Sequence, residues 1–125
     1  MRSEHTILVV DDHPAALYAA SRLLQSAGFR TLEAASGTDA LRLAGRASAV
    51  LIDVNLPDVN GVQVCQTIKN APETKHVPVI LMSAVYLDEL HRGAGLSAGA
   101  DGYLTPPFEG EQLAALLDGL VAGKA

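Results

Sequence analysis

Thr6-Ile7-Leu8-Val9-Val10 runs without a break into Asp11-Asp12-His13-Pro14. A short, continuous, largely β-branched run reads as a strand buried on both faces. Pro14 suits the first turn of a helix, where its missing N–H has no partner to lose. The stretch is therefore strand, acidic turn, helix, and the rest of the chain repeats that unit.

Leu17, Ala20, Leu24 and Ala27 share one helical face, and Gly28 stops the helix. Residues 30–34 form a second, weaker strand. Ser36, with Asp39 three residues on, is a capping-box start for a helix through Ala40, Leu41 and Ala44. Residues 49–52 are a third strand ending at Asp53. Val64, Cys65 and Ile68 stripe a helix over about 60–70, which puts Cys65 in the core. The fourth strand covers 77–82, with Pro78 near its start, where the ladder tolerates it. A helix over 87–98 contains Gly93 and Gly95, each costing about 1 kcal/mol relative to alanine. Segment 85–99 is therefore expected to be the most mobile regular part of the chain. Residues 102–104 are a fifth strand, and Leu113, Leu116, Leu117 and Leu120 stripe the last helix. This alternation predicts an α/β fold, a doubly wound five-stranded parallel sheet with helices on both faces.

The 125 residues suit one domain spanning 1–125, with flexible ends at 1–5 and 122–125. Hydrophobic residues at 49 % against 18 % charged exclude a disordered chain. Fourteen acidic against nine basic residues leave a charge of −5, which argues against direct binding to nucleic acid or an anionic membrane. Apolar runs reach only about six residues, far short of the roughly 20 a membrane helix needs. The first five residues lack the apolar core of a signal peptide. Cys65, the one cysteine, cannot form an internal disulfide, which points to the reducing cytoplasm.

Open α/β sheets bind ligands beyond the carboxyl ends of their strands. Those exits carry Asp11-Asp12, then Asp53, then Ser83 followed by the small Ala84, then Thr105-Pro106-Pro107-Phe108. With the first and third strands side by side, three carboxylates share one crevice, where they repel unless a cation holds them. An all-oxygen set points to a hard ion, Mg2+. His5, His13, His76 and His91 are scattered without metal-ligand spacing and read as solvated. Taken singly, each acid also fits a helix cap or a loop, Asp12 above all; the joint pattern carries the weight.

The chain resembles the receiver domains of two-component response regulators along essentially its whole length. The resemblance rests on Val9-Val10-Asp11-Asp12-His13-Pro14, on the run from Leu51-Ile52-Asp53 through Asn55 and Pro57 to Gly61, on Pro78-Val79-Ile80-Leu81-Met82-Ser83-Ala84, and on Gly99-Ala100-Asp101-Gly102-Tyr103-Leu104. It implies a flavodoxin-like sheet of order 2-1-3-4-5. It implies Asp53 as the acceptor of a phosphoryl group from a histidine kinase or phosphotransfer protein. Asp12 becomes the direct Mg2+ ligand, Asp11 its water-mediated partner, and Asn55 a backbone-carbonyl ligand. Ser83 becomes the switch hydroxyl, Ala84 the small neighbour that leaves it room, and Tyr103 the aromatic switch. The chain would catalyse only its own phosphorylation and dephosphorylation. A homodimer through the helix over 87–98, the fifth strand and the last helix is a further expectation.

One position departs from the family pattern. Lysine-proline-phenylalanine is replaced by Pro106-Pro107-Phe108, so Pro106 stands where the switch lysine belongs. A hydrogen bond to a charged group, worth about 1.5–3 kcal/mol, is lost. Thr105 should face away across the strand, Arg92 on the expected fourth helix is the nearest other cation in sequence but a weak substitute, and Pro107 retains the option of a cis bond. A competing reading follows: a pseudo-receiver that binds partners without phosphoryl chemistry. Two enzyme readings fit less well. A dehalogenase-type phosphatase needs its second Asp two positions after the first, and a flavodoxin needs a hydroxyl- and glycine-rich phosphate loop in place of Asp11-Asp12.

Overall fold

β1 (Thr6–Val10) carries a parallel neighbour on each edge, β2 (Arg30–Ala34) on one side and β3 (Ala49–Asp53) on the other. A computed structural model describes residues 2–82, 99–105 and 109–122. β4 (Val79–Met82) pairs with β3 and β5 (Gly102–Leu104) with β4, giving one parallel sheet of order 2-1-3-4-5. This is the flavodoxin-like order that the resemblance implies. Val10 lies opposite Ile52, so Asp11 and Asp53 leave the sheet as neighbours.

Strand alternation divides the core in two. Leu8, Val10, Val50, Ile52, Val79 and Leu81 face one side, where they meet Ala40 of α2 (Gly37–Leu43) and Val64, Cys65 and Ile68 of α3 (Gly61–Asn70). Ile7, Val9, Ala49, Leu51, Ile80 and Met82 face the other, against Ala20 and Leu24 of α1 (Pro14–Ser26) and the C-terminal helix (Gly110–Ala122). Apart from Thr6 at the start of β1 and Asp53 at the end of β3, the central strands are apolar because both faces are covered.

Several boundaries differ from the sequence reading for local reasons. β4 begins at Val79 rather than 77, because Pro78 has no N–H to donate and the Val77 N–H bonds back to Thr74 O at 2.9 Å. Pro78 still accepts from Val50 N at 2.9 Å. α3 begins at Gly61 because Asn60 is its cap, accepting from Val62 N at 2.7 Å. The Ser36 cap forms as expected, accepting from Asp39 N at 3.2 Å. Gly28, at φ 103°, ends α1 in the left-handed region that favours glycine. In the C-terminal helix the innermost residues are Leu113, Ala114, Leu117 and Val121, while Leu116 and Leu120 are only partly buried.

The N-terminal residues are tethered. Arg2 donates to both carboxylate oxygens of Asp118 at 3.0 and 2.6 Å and to Ala27 O at 2.9 Å, and its guanidinium sits 5.5 Å from the Phe29 ring centre. Among the described residues, no helix is long and apolar enough to cross a membrane. Ser83, Ala84, Pro106, Pro107, the expected helix over 87–98, all of the segment 85–99 except Gly99, and the last three residues lie outside the described part. Of the expected dimer face, the fifth strand and most of the last helix are described and the helix over 87–98 is not.

Candidate functional site

Asp11 is held one step past the end of β1, where its N–H extends the pairing with β2 by donating to Ala34 O at 3.1 Å. Its side chain is buried, with Asp11 only 4 % exposed overall. Asp11 Oδ1 accepts from His13 N at 2.9 Å, a local turn that bends the chain into α1. His13 occupies the cap position of that helix and makes no side-chain cap bond. Asp12 is therefore not the helix cap it resembles in sequence. Its Oδ1 is buried and accepts no hydrogen bond among the described residues, although His13 Nδ1 stands 3.2 Å away. The same ring nitrogen is 3.2 Å from Asp11 Oδ1, and that contact has hydrogen-bond geometry.

Asp53 closes β3. Its own Oδ1 accepts from Asn55 N at 3.0 Å. The next residue is clamped on both sides: Val54 N donates to Met82 O at 2.9 Å, and Gly61 N donates to Val54 O at 2.8 Å. A Cβ at Gly61 would overlap the Asp53 carbonyl oxygen and crowd the Val54 Cα. The glycine at the start of α3 thus lets that helix press directly on the strand that ends in Asp53.

One side-chain atom from each of Asp11, Asp12, His13 and Asp53 lies within 4.8 Å of all the others. Burial pushes the Asp53 carboxyl above its ordinary pKa; Asp11 and Asp12 add to the rise, while the Asn55 N–H and His13 oppose it. The hydrogen bond to Asp11 raises the His13 imidazole, helped by the charges of Asp12 and Asp11. Three clustered carboxylates, one with a buried oxygen that lacks a hydrogen-bond donor, suit a hard divalent cation. A cleft of about 300 Å³ opens beside them, lined by Asp12 and the loop 54–60.

The first and third strand exits thus come together as expected, and Asn55 lies on the exposed loop beside them. Tyr103 is half-buried against the core on the α3 side of the sheet. Two participants escape the sequence reading. His13 reads as solvated because no second histidine has ligand spacing with it; its adjacency to the acid pair is the only available signal. Asp58 is given no role by the sequence reading. Its partners, Gly37 and Thr38, are about 20 positions away in sequence and adjacent only in the fold.

The family model for the response regulator receiver domain matches residues 7–118. The chain belongs to this family. It is 33 % identical over 119 residues to protein PilH of Pseudomonas aeruginosa, a match covering 94 % of this chain and 98 % of PilH. It is 38 % identical over 118 residues to the transcriptional regulatory protein PrrA of Mycobacterium tuberculosis, covering 92 % of this chain and 49 % of PrrA. This receiver thus spans nearly all of PilH and half or less of several other curated relatives, down to 8 % of a Formosa agariphila histidine kinase. The receiver domain of the sensor histidine kinase PA1611 from Pseudomonas aeruginosa, solved with a magnesium ion coordinated in its active-site cleft, superimposes with a TM-score of 0.85. That pair is 31 % identical, and the match covers 94 % of this chain and 98 % of the other. Receivers act as phosphoacceptors in two-component signalling, and this one carries the acidic pocket of Asp11, Asp12 and Asp53.

Proposed function

We propose that this receiver accepts a phosphoryl group on Asp53 from the phosphohistidine of a histidine kinase or phosphotransfer protein, in the cytoplasm. The observation that carries the reading is the convergence of Asp11, Asp12 and Asp53 at adjacent strand ends, with a buried Asp12 oxygen that has no donor among the described residues. A carboxylate oxygen of Asp53 attacks phosphorus, the P–N bond breaks, and the departing imidazole keeps the electron pair; the product is an acyl phosphate. Asp12, Asp11 through a water, Asp53 and the Asn55 carbonyl are the groups that would hold Mg2+. Bound there, the ion neutralises charge on the phosphoryl oxygens. Asp53 is kept in place by its Asn55 N–H bond and by the Gly61 contact behind it. Ser83 would donate to the phosphoryl group, with Ala84 giving it room and Tyr103 responding on the next strand. Pro106 removes the family's second donor, so the output response of this chain is expected to be weaker or routed differently.

Mg2+ with acetyl phosphate, followed by peptide mass mapping, tests this. One phosphoryl group on the Asp53 peptide, absent in Asp53→Ala, is the expected result. A lack of modification, together with unchanged spectra when beryllofluoride is added, would overturn it. The phosphorylation-independent module suggested by Pro106 predicts that outcome, and it also predicts normal signalling by Asp53→Ala in the parent system.

A further inference from the structure

Asp58 is exposed, yet its carboxylate accepts four hydrogen bonds. Oδ1 takes Gly37 N at 2.9 Å and Val59 N at 3.0 Å; Oδ2 takes Thr38 N at 3.0 Å and Thr38 Oγ1 at 2.8 Å. Two of the partners are the first two residues of α2, where N–H groups lack intrahelical acceptors. A second contact reinforces the tie. A Cβ on Gly37 would overlap the Val59 side chain, so the absence of one lets the loop settle on the helix start. The loop 54–60 is thus pinned at its base by the Gly61–Val54 bond and at its tip by Asp58. Between these pins lies Asn55, and the same loop forms the wall of the cleft opposite Asp12.

We infer that Asp58 is a positioning residue for the acidic pocket: by tying loop 54–60 to the start of α2, it holds Asn55 at the height of Asp12 and Asp53. This rests on the acceptor reading above. Asp58 is not one of the clustered acids; its carboxylate is engaged by the start of α2 and by Val59 N. Its bonds to Gly37 and Thr38 hold its carboxyl well below the usual carboxylate range. Groups that orient ligands from one shell out matter to metal affinity because a loosened ligand must be ordered again on binding.

The test uses the full chain and three variants, Asp58→Ala, Asp58→Asn and Thr38→Val, with Arg2→Ala as a control at the opposite end of the sheet. Mg2+ affinity is measured by calorimetry, beryllofluoride binding by spectral change, amide exchange over 54–60 in metal-free protein, and stability by thermal melting. Asp58→Ala is expected to weaken Mg2+ about tenfold, with Asp58→Asn and Thr38→Val each costing less, about two- to fourfold. Exchange over 54–60 should rise in the same order. Arg2→Ala should lower the melting temperature and leave Mg2+ affinity unchanged. If Asp58→Ala does not fold, the graded effect in the two milder variants decides the matter. Variants that melt earlier yet bind Mg2+ as tightly as the parent would overturn the inference while leaving the acceptor reading intact. A parent chain that binds neither Mg2+ nor beryllofluoride would overturn both.

Discussion

Asp101 Oδ2 lies 3.0 Å from Lys69 Nζ and 2.8 Å from the backbone nitrogen of Val79. One oxygen thereby joins the last turn of α3, the first residue of β4 and the approach to β5. Lys69 also donates to Val77 O at 3.1 Å, so ammonium and carboxylate together satisfy the Val77 carbonyl and the Val79 N–H on either side of Pro78. The backbone adds its own link, Asp101 N to Val79 O at 2.8 Å.

Asp101→Ala leaves the buried Val79 N–H without its acceptor and Lys69, whose side chain is 18 % exposed, without its counter-ion. The expected loss is about 1–3 kcal/mol, the cost of stranding a buried donor. Asp101→Asn keeps an acceptor and should lose less. Urea unfolding midpoints distinguish the two, and equal losses would show that charge rather than the Val79 bond dominates.

How far the sequence reveals this molecule depends on the separation of the partners. β1 and β3 are legible because a strand covered on both faces must be apolar along nearly its whole length, whereas the edge strands β2 and β5 carry a weaker signal. The acid cluster is legible because each acid sits on a strand exit. Pairings such as Lys69–Asp101, Asp58–Gly37 and Arg2–Asp118 are not, because they join surface-type residues 32, 21 and 116 positions apart. No periodicity marks such a pair. The start of β4 was hidden for a different reason: Val77 is apolar and buried, yet its N–H belongs to the preceding turn.

Gly61→Ala should damage the pocket from behind. The added methyl meets the Asp53 carbonyl and the Val54 backbone, neither of which can swing aside as a side chain tip could. Overpacking of this kind costs about 1–3 kcal/mol. Beryllofluoride binding should weaken as well, because the backbone of the acceptor itself must shift. Gly119→Ala, with open space at its Cβ, is the control and should be neutral or stabilising.

Acid should unfold the chain partly through Asp58 and Asp118. Backbone and hydroxyl donors lower the Asp58 pKa, and the hydrogen bond from Arg2 lowers that of Asp118. A depressed folded-state pKa contributes stability above the unfolded value of about 3.9, and that contribution fades as pH drops through the folded value. Asp58→Asn and Asp118→Asn should therefore be less stable than the parent at pH 7 and converge with it as pH falls below about 4. Parallel stability curves down to pH 2 would contradict this.

Cys65 is fully buried on α3, and desolvation pushes its thiol up to about 11. The thiolate is the reactive form, so alkylation of native protein at neutral pH should be limited by unfolding. The labelling rate should track denaturant-induced opening of the core. Rapid labelling under native conditions would mean that α3 opens locally.

Asp53→Asn should stabilise the metal-free chain. The substitution removes one of three clustered carboxylates and keeps an oxygen to accept the Asn55 N–H. Because Asp53 and Asp12 are partly exposed, solvent screening limits the gain to about 0.5–1 kcal/mol, or about 2–5 °C in melting temperature. The sign follows from the raised Asp53 pKa. A carboxylate that resists ionising in the fold costs stability above its folded pKa, and the cost disappears below the unfolded one. The advantage of Asn should thus shrink as pH approaches 4. Adding Mg2+ should reverse the order, because a ligand stabilises the form that binds it more tightly and the parent offers three charges where the variant offers two. Melting curves of both proteins at pH 7, with and without Mg2+, check every part of this. A parent that is already the more stable without metal would mean that His13, 3.2 Å from both Asp11 and Asp12, neutralises the cluster by itself.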